Sequence, residues 1–184
     1  MLGSNELKEL IAATRQHINL TEAVIEKDYY VTQAIHALSD TEDDYFKLVF
    51  AGGTCLAKGH KIVQRMSEDI DFKIQTKNTA ACFSKTRLIK ELKEFRCLIN
   101  SKLLLPSLTA DKPIARNEGQ YSRIQMNYPA TFSLNSELRP HILLEFTVSD
   151  VRLEPENLSI NTIIEDTLEN VVIFMSPVTQ CVSV

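Results

Sequence analysis

The pattern of hydrophobic and polar positions predicts helices first and a sheet afterwards. Near the N-terminus, Leu7, Leu10 and Ile11 recur at the spacing of an amphipathic helix. A second helix is expected after Thr21, because threonine often caps helices and the residues that follow form one broad apolar stripe: Val24, Ile25, Val31, Ile35 and Leu38. We therefore expect two helices within residues 1–44.

The next apolar run is short and ends at glycines. Phe46 to Ala51 has the length of a buried strand, and Gly52 and Gly53 behind it predict a tight turn. A helix is expected over Cys55 to Val63, behind that turn. Further along, Thr86 to Leu104 has the apolar spacing of an amphipathic helix.

Three later segments alternate with period two, which is typical of half-buried strands. They are residues 69–74, 123–128 and 142–148. The last two flank a polar, turn-rich stretch from Pro129 to Pro140, so we expect them to pair antiparallel. One more apolar run, Val171 to Met175, follows. Together these elements predict an α+β (mixed α/β) fold with a mixed sheet and helices packed on one face.

Composition adds limits to this picture. A chain of 184 residues, 44% hydrophobic and 24% charged, predicts one soluble globular domain. It lacks an apolar run long enough to span a membrane and a secretory N-terminus, so we expect a cytoplasmic protein without a membrane partner. The net charge of -4 argues against a surface that coats nucleic acid. The four cysteines lack the close spacing of zinc or redox motifs.

Acidic residues suggest chemistry on one face of the predicted sheet. Asp69 and Asp71 lie two apart on a strand, so both carboxylates point the same way. A bound divalent cation relieves the repulsion between two such groups, and Mg²⁺ prefers carboxylates together with water and substrate phosphates. Glu145 is the natural third acid, since the other face of its strand is wholly apolar. The alternative is a set of solvated surface acids.

A phosphate-binding element is predicted next to these acids. Gly52, Gly53 and Thr54 form a turn whose bare backbone can approach a ligand and hold phosphate oxygens, although such a turn can also be only a turn. Four residues between the two elements carry groups that can offset triphosphate charge or bind phosphate: Lys58, Lys61, Arg65 and Ser67. The glycine turn and the acids would thus divide the work of phosphoryl transfer.

The residues from Phe50 to Phe72 resemble the AbiEii/AbiGii toxin family, a branch of the DNA polymerase β-like nucleotidyltransferase superfamily. The resemblance rests on Phe-Ala-Gly-Gly-Thr-Cys-Leu-Ala-Lys followed by Arg-Met-Ser-Glu-Asp-Ile-Asp-Phe. Residues 26–31 resemble the acidic-aromatic helix of the family, and residues 144–146 resemble its third carboxylate strand. The family would imply a catalytic sheet core over residues 45–150, within a single domain of residues 1–184.

The resemblance implies transfer of a nucleotide from an NTP to an acceptor, with Mg²⁺ (or Mn²⁺) held by Asp69, Asp71 and Glu145. Gly53 and Thr54 would cradle the triphosphate. The implied partners are an RNA acceptor such as a tRNA end and a cognate antitoxin protein, and pairing of two chains stays open. After Pro177 the helical region of the family, with its nucleotide-contacting lysine, has no counterpart. We therefore expect residues 151–184 to be a truncated extension, and a nucleotide- or protein-binding module is the alternative function.

Overall fold

A computed structural model describes residues 2–63, 68–133, 138–151, 154–169 and 181–183 of the chain. Its helices and strands follow in this order: α1 (Ser4–Arg15), α2 (Glu22–Leu38), β1 (Phe46–Ala51), α3 (Gly52–Lys58), β2 (Asp69–Thr76), α4 (Lys85–Lys102), β3 (Thr109–Ala110), β4 (Ile114–Arg116), β5 (Tyr121–Asn127), β6 (His141–Val148), β7 (Asn157–Ser159), α5 (Ile163–Leu168) and β8 (Cys181–Ser183). The predicted apolar run from Val171 to Met175 lies outside the described residues.

The main sheet is mixed, as the predicted order of helices and strands implies. Its strands are ordered β1-β2-β6-β5-β3, and β4 also pairs with β5. The pairing of β2 with β6 is parallel, whereas β1 with β2 and β5 with β6 are antiparallel. The predicted antiparallel pairing across the turn-rich stretch is confirmed. Because β2 lies between β1 and β6, the glycine turn, the aspartates and Glu145 belong to three neighbouring strands.

One face of the sheet supplies the hydrophobic core. In β2 the side chains of Ile70, Phe72 and Ile74 are almost fully buried, while the intervening residues are half-buried or exposed. This face forms one cluster with apolar side chains of α1, α2 and α4. Burying a large apolar side chain contributes about 1.5 to 3 kcal/mol. The core therefore fixes which face of β2 and β6 carries the polar residues.

The helix behind the glycine turn begins earlier than predicted. We expected it over residues 55–63, but α3 starts at Gly52 and ends at Lys58. Gly52 has a φ of 76°, a backbone conformation that glycine adopts without steric cost, and this lets the chain leave β1 and enter the helix at once. Thus both glycines form the first turn of α3.

Helix α2 is enclosed by the rest of the protein. Three consecutive charged residues of this helix, Glu26, Lys27 and Asp28, are only 1%, 0% and 6% exposed. Successive residues in an α-helix point about 100° apart, so their burial shows that α2 is covered on several sides. A buried charge is costly unless it is paired and hydrogen-bonded, and each of these three has partners.

Two of these charged side chains accept hydrogen bonds from backbone N–H groups of other segments. The carboxylate of Glu26 accepts a hydrogen bond from the N–H of Thr131 at 2.9 Å, in the loop between β5 and β6. Asp28 accepts one from the N–H of Ile163 at 2.8 Å, in the first turn of α5, and its second oxygen binds the ammonium of Lys58 at 2.5 Å. Helix α2 therefore connects three segments: the β5–β6 loop, the start of α5 and the end of α3. Within the described residues, no helix is both long enough and apolar enough to cross a membrane.

Candidate active site

Asp71 and Glu145 lie side by side at the centre of the polar face. They are register partners in the parallel pair of β2 and β6, and Asp71 faces Ala51 of β1 on its other side. Neighbouring strands are about 4.8 Å apart, so the two carboxylates occupy one small volume. Burial raises the pKa of Asp71, and the charges of Glu145 and Asp69 raise it further. The site thus carries closely spaced negative charge.

Gly52 leaves room for one of these carboxylates. A Cβ atom added to Gly52 would lie 2.1 Å from Oδ2 of Asp71, a distance at which atoms overlap. The sequence predicts that bare backbone at this turn approaches a ligand. In the structure, the group that the backbone approaches is the carboxylate of Asp71. The glycine that follows β1 thereby packs directly against a carboxylate near the start of β2.

Thr54 connects α3 to the aspartate strand. Its side chain is buried, and its hydroxyl donates a hydrogen bond to the carbonyl oxygen of Asp69 at 2.5 Å. The hydroxyl predicted to bind phosphate is therefore bound to backbone. Gly53, which precedes it, is half-buried.

Asp69 is paired with Arg139, a residue in the segment before β6. Nη1 of Arg139 lies 2.8 Å from Oδ1 of Asp69. The backbone N–H of Arg139 donates to Oε1 of Glu68 at 2.9 Å, and its Nε lies 3.5 Å from Oε2 of the same residue. The first carboxylate of the predicted triad is thus held by an arginine that bridges the starts of β2 and β6.

A buried lysine holds this bridge from α2. Nζ of Lys27 donates to Oε1 of Glu68 at 2.8 Å and to the carbonyl oxygen of Arg139 at 3.0 Å. Burial lowers the pKa of Lys27, against the raising effect of Glu68. For Glu68, burial alone would raise the pKa, but hydrogen bonds from Lys27 and from the N–H of Arg139, together with the positive charges of both residues, lower it. Lys27 and Glu68 therefore form an ion pair beneath the site.

Glu145 has a partner on the next strand. The phenol of Tyr121, in β5, donates a hydrogen bond to Oε1 of Glu145 at 2.6 Å. This bond stabilises the phenol with its proton attached, so it raises the pKa of Tyr121. Arg123 of β5 is the register partner of Glu145. The polar face thus extends from β2 across β6 to β5.

The two described lysines that were predicted to bind phosphate form ion pairs with other carboxylates. Lys58 pairs with Asp28, and Lys61 lies 3.2 Å from Asp166 with its side chain 63% exposed. Arg65 and Ser67 lie outside the described residues. The structure therefore places Gly52 against Asp71 and Asp71 beside Glu145, and it engages the two described lysines elsewhere.

The donor atoms at this site suit a divalent cation, but they are not gathered around one position. Within the part of the chain that the structure describes, no group of three or more His, Cys, Asp or Glu side chains is placed to hold a metal ion. Two of the predicted ligands are engaged by Arg139 and Tyr121. Even so, the hard oxygens on two adjacent strands, with one carboxylate set against the bare backbone of Gly52, match what Mg²⁺ prefers. The metal assignment stays a prediction.

The residues that contact the predicted acids directly, Tyr121 and Arg139, were not found from the sequence. Tyr121 had a usable signal, because the polar face predicted for residues 123–128, which pair with the strand of Glu145, continues two residues back to Tyr121. Arg139 had none, since it lies in a polar segment of no clear periodicity. Its position depends on Lys27 and Glu68, which are distant in sequence.

Comparison with solved structures agrees with the fold. MenT4, a nucleotidyltransferase toxin from Mycobacterium tuberculosis H37Rv, superposes with a TM-score of 0.55 at 19% sequence identity, over 95% of this chain and 54% of that one. The chain thus spans about half the length of the toxin it matches, and at this identity the likeness establishes the fold alone. No curated protein matches the chain.

The family assignment comes from the sequence. A profile described as "Nucleotidyl transferase AbiEii toxin, Type IV TA system" matches residues 33–184, which is most of the chain and includes the glycine turn, the aspartates and Glu145. The expected resemblance is confirmed, and the chain belongs to the AbiEii nucleotidyl transferase toxin family.

Proposed function

We propose that this chain transfers a nucleotide from an NTP to an RNA acceptor in a reaction that requires Mg²⁺ or Mn²⁺. The observation that supports this most directly is the junction of three strands where Gly52, Asp71 and Glu145 meet. It combines bare backbone with acidic oxygens of the kind that phosphoryl transfer uses to position a metal-bound triphosphate.

The residues would divide the reaction as follows. Asp69, Asp71 and Glu145 would hold the cation, which when bound offsets triphosphate charge and polarises the α-phosphate. Gly52 and Gly53 would line the path of the triphosphate, where the absence of side chains permits close approach. The new bond joins the acceptor oxygen to the α-phosphorus and the bond to pyrophosphate breaks. We place Glu145 on the acceptor side, where its carboxylate would accept the proton of the acceptor hydroxyl.

The partners follow from the family. Its description as the toxin of a type IV toxin–antitoxin system supports a cognate antitoxin protein as a partner. We propose RNA, for example a tRNA end, as the acceptor, and the cytoplasm as the place of reaction, because NTP and RNA meet there.

The test is a transfer assay. The wild-type chain is incubated with each of the four α-³²P-labelled NTPs, total bacterial RNA and Mg²⁺, and label that stays with RNA under denaturing electrophoresis is measured. We expect covalent label with at least one NTP, and none with EDTA or in the Asp69→Asn/Asp71→Asn variant. Asp111→Asn is the matched control, since this exposed aspartate contacts Asn127 at the edge of the sheet.

A binding module is the second candidate, favoured by the engagement of Asp69 and Glu145 with protein partners. A module of this kind would retain labelled NTP on a filter but would transfer none to RNA. Retention without transfer by the wild-type chain, across all four NTPs, would therefore refute the proposed reaction and leave nucleotide binding in its place.

A further inference from the structure

Arg139 combines a fixed backbone with an accessible side chain. Its N–H is bound by Glu68 at 2.9 Å and its carbonyl oxygen by Lys27 at 3.0 Å. Lys27 is fully buried, so this anchor belongs to the core. The side chain of Arg139, in contrast, is 50% exposed. The guanidinium can therefore move while the residue keeps its place between β2 and β6.

The guanidinium of Arg139 carries a charge of the same sign as a metal ion and already contacts one of the predicted metal ligands. It lies 2.8 Å from Oδ1 of Asp69, on the side of the site where acids predominate. A divalent cation that binds Asp69 would compete with Arg139 for the same carboxylate and would repel it. When a cation takes Asp69, Nε of Arg139 keeps its 3.5 Å contact with Glu68, and Nη1 becomes available to a second anion.

A triphosphate supplies that anion. The planar guanidinium binds phosphate as well as it binds carboxylate, through parallel N–H donors. The described lysines that the sequence predicts for this task are engaged by Asp28 and Asp166. Since its anchor keeps Arg139 beside Asp69, a phosphate bound to a cation on Asp69 would come close to the guanidinium.

We propose that Arg139 exchanges partners during substrate binding. In the structure it pairs with Asp69, and when a divalent cation and triphosphate bind, the cation takes Asp69 and the guanidinium binds the triphosphate. Arg139 is thereby a substrate-binding residue that also offsets the charge of Asp69. This inference rests on the proposed function, because it assigns a ligand of the same site.

The exchange predicts opposite effects on two binding equilibria when Arg139 is replaced by glutamine. Mn²⁺ binding, followed by the loss of the free-ion signal in electron paramagnetic resonance, should become about two- to fivefold tighter, since a half-exposed ion pair no longer competes. Binding of inorganic tripolyphosphate in the presence of saturating Mn²⁺, measured by calorimetry, should become about tenfold weaker, since a charge-assisted contact is lost. Tripolyphosphate is chosen because it tests the phosphate contacts without a base.

Two further variants keep the result interpretable. Arg139→Lys preserves the charge and loses the planar fork, so it should bind Mn²⁺ as the wild type does and tripolyphosphate about threefold more weakly. It also serves if Arg139→Gln does not fold. Arg87→Gln removes one positive charge from α4, where Arg87 lies over the ring of Phe83, and it should change neither equilibrium.

The outcomes separate this inference from the proposed function. If the wild type binds Mn²⁺ and tripolyphosphate while Arg139→Gln weakens both or changes neither, Arg139 is only a structural clamp and the exchange is refuted, whereas the proposed function stands. If the wild type binds neither probe, the exchange and the proposed function both fail. Tighter Mn²⁺ together with weaker tripolyphosphate supports the exchange.

Discussion

The carboxylate of Asp71 lies against Gly52, so closely that a single methyl group on Gly52 would overlap Oδ2 at 2.1 Å. This contact joins the first turn of α3 to the acidic strand β2. The position therefore needs glycine for two independent reasons. A side chain would overlap Asp71, and the φ of 76° disfavours other residues.

Replacement of Gly52 by alanine should destabilise the chain and displace Asp71. The positive φ and the overlap together should lower the free energy of unfolding by about 1 to 3 kcal/mol, measured by urea denaturation. Mn²⁺ binding should weaken in the same variant, because the carboxylate must move. Gly3→Ala is the matched control, as no atom lies within 4 Å of its added Cβ. Equal stability of both variants would contradict the contact.

Replacement of Asp71 by asparagine should stabilise the chain at neutral pH while it removes metal binding. The pKa of Asp71 is raised by burial and by its acidic neighbours, so the folded chain holds this proton more tightly than the unfolded chain does. The wild type should therefore lose stability as pH rises from about 4, the ordinary aspartate pKa, through the raised value. We expect Asp71→Asn to melt about 2 to 4 °C higher at pH 7, with the difference shrinking towards pH 4.

The melting curves of wild type and variant at pH 4, 5, 6 and 7 are the measurement, by calorimetry without added metal. Asp111→Asn serves as the control for loss of one exposed carboxylate. A constant difference between Asp71→Asn and wild type at all four pH values would show that Asp71 does not titrate as the geometry requires.

Replacement of Tyr121 by phenylalanine should affect the transfer rate more than binding. The phenol fixes Oε1 of Glu145 at 2.6 Å, and its loss should lower kcat about tenfold with little change in KM for the NTP. The cost in stability should be about 0.5 to 1.5 kcal/mol. Tyr45→Phe is the control, because Tyr45 packs on Phe83 beyond the opposite end of β1. A change in KM with kcat unaltered would show that Tyr121 contacts the nucleotide instead.

Replacement of Lys58 by methionine distinguishes a structural lysine from a phosphate ligand. Its ammonium pairs with the nearly buried carboxylate of Asp28, so Lys58→Met should lower the free energy of unfolding by about 1 to 3 kcal/mol. The Asp28→Asn/Lys58→Met double variant should recover part of this loss, since no charge remains unpaired. Weaker binding of tripolyphosphate with unchanged stability would support the phosphate role predicted from the sequence.

The sequence predicted the elements with strong periodicity and the chemistry attached to them. The alternation around Ile70 and Phe72 places the apolar residues in the core, and this alone determines that Asp69 and Asp71 share the open face. The start of α3 was misplaced, because the pattern shows an apolar run that ends at glycines and does not show that φ at Gly52 is positive.

Interactions between distant segments were the part that sequence reasoning missed. Lys27, Glu68 and Arg139 are separated by tens of residues, and none lies at a position that periodicity marks as functional. Lys27 lies within a helix that was predicted from its apolar stripe, where a charged residue reads as solvent-exposed. Only the enclosure of α2 by the rest of the chain reverses that interpretation.

The buried charges of α2 have a practical consequence for work on this family. The profile match begins at residue 33, whereas Glu26, Lys27 and Asp28 precede it. A shortened protein trimmed to the matched region would lose all three side chains and leave the strand starts, the β5–β6 loop and α5 without their ionic partners. A protein cut at the boundary of the matched region would thus lack contacts that hold the segments around the acidic face. If it were inactive, the cause could be lost structure, and the inactivity would not test the chemistry of the site.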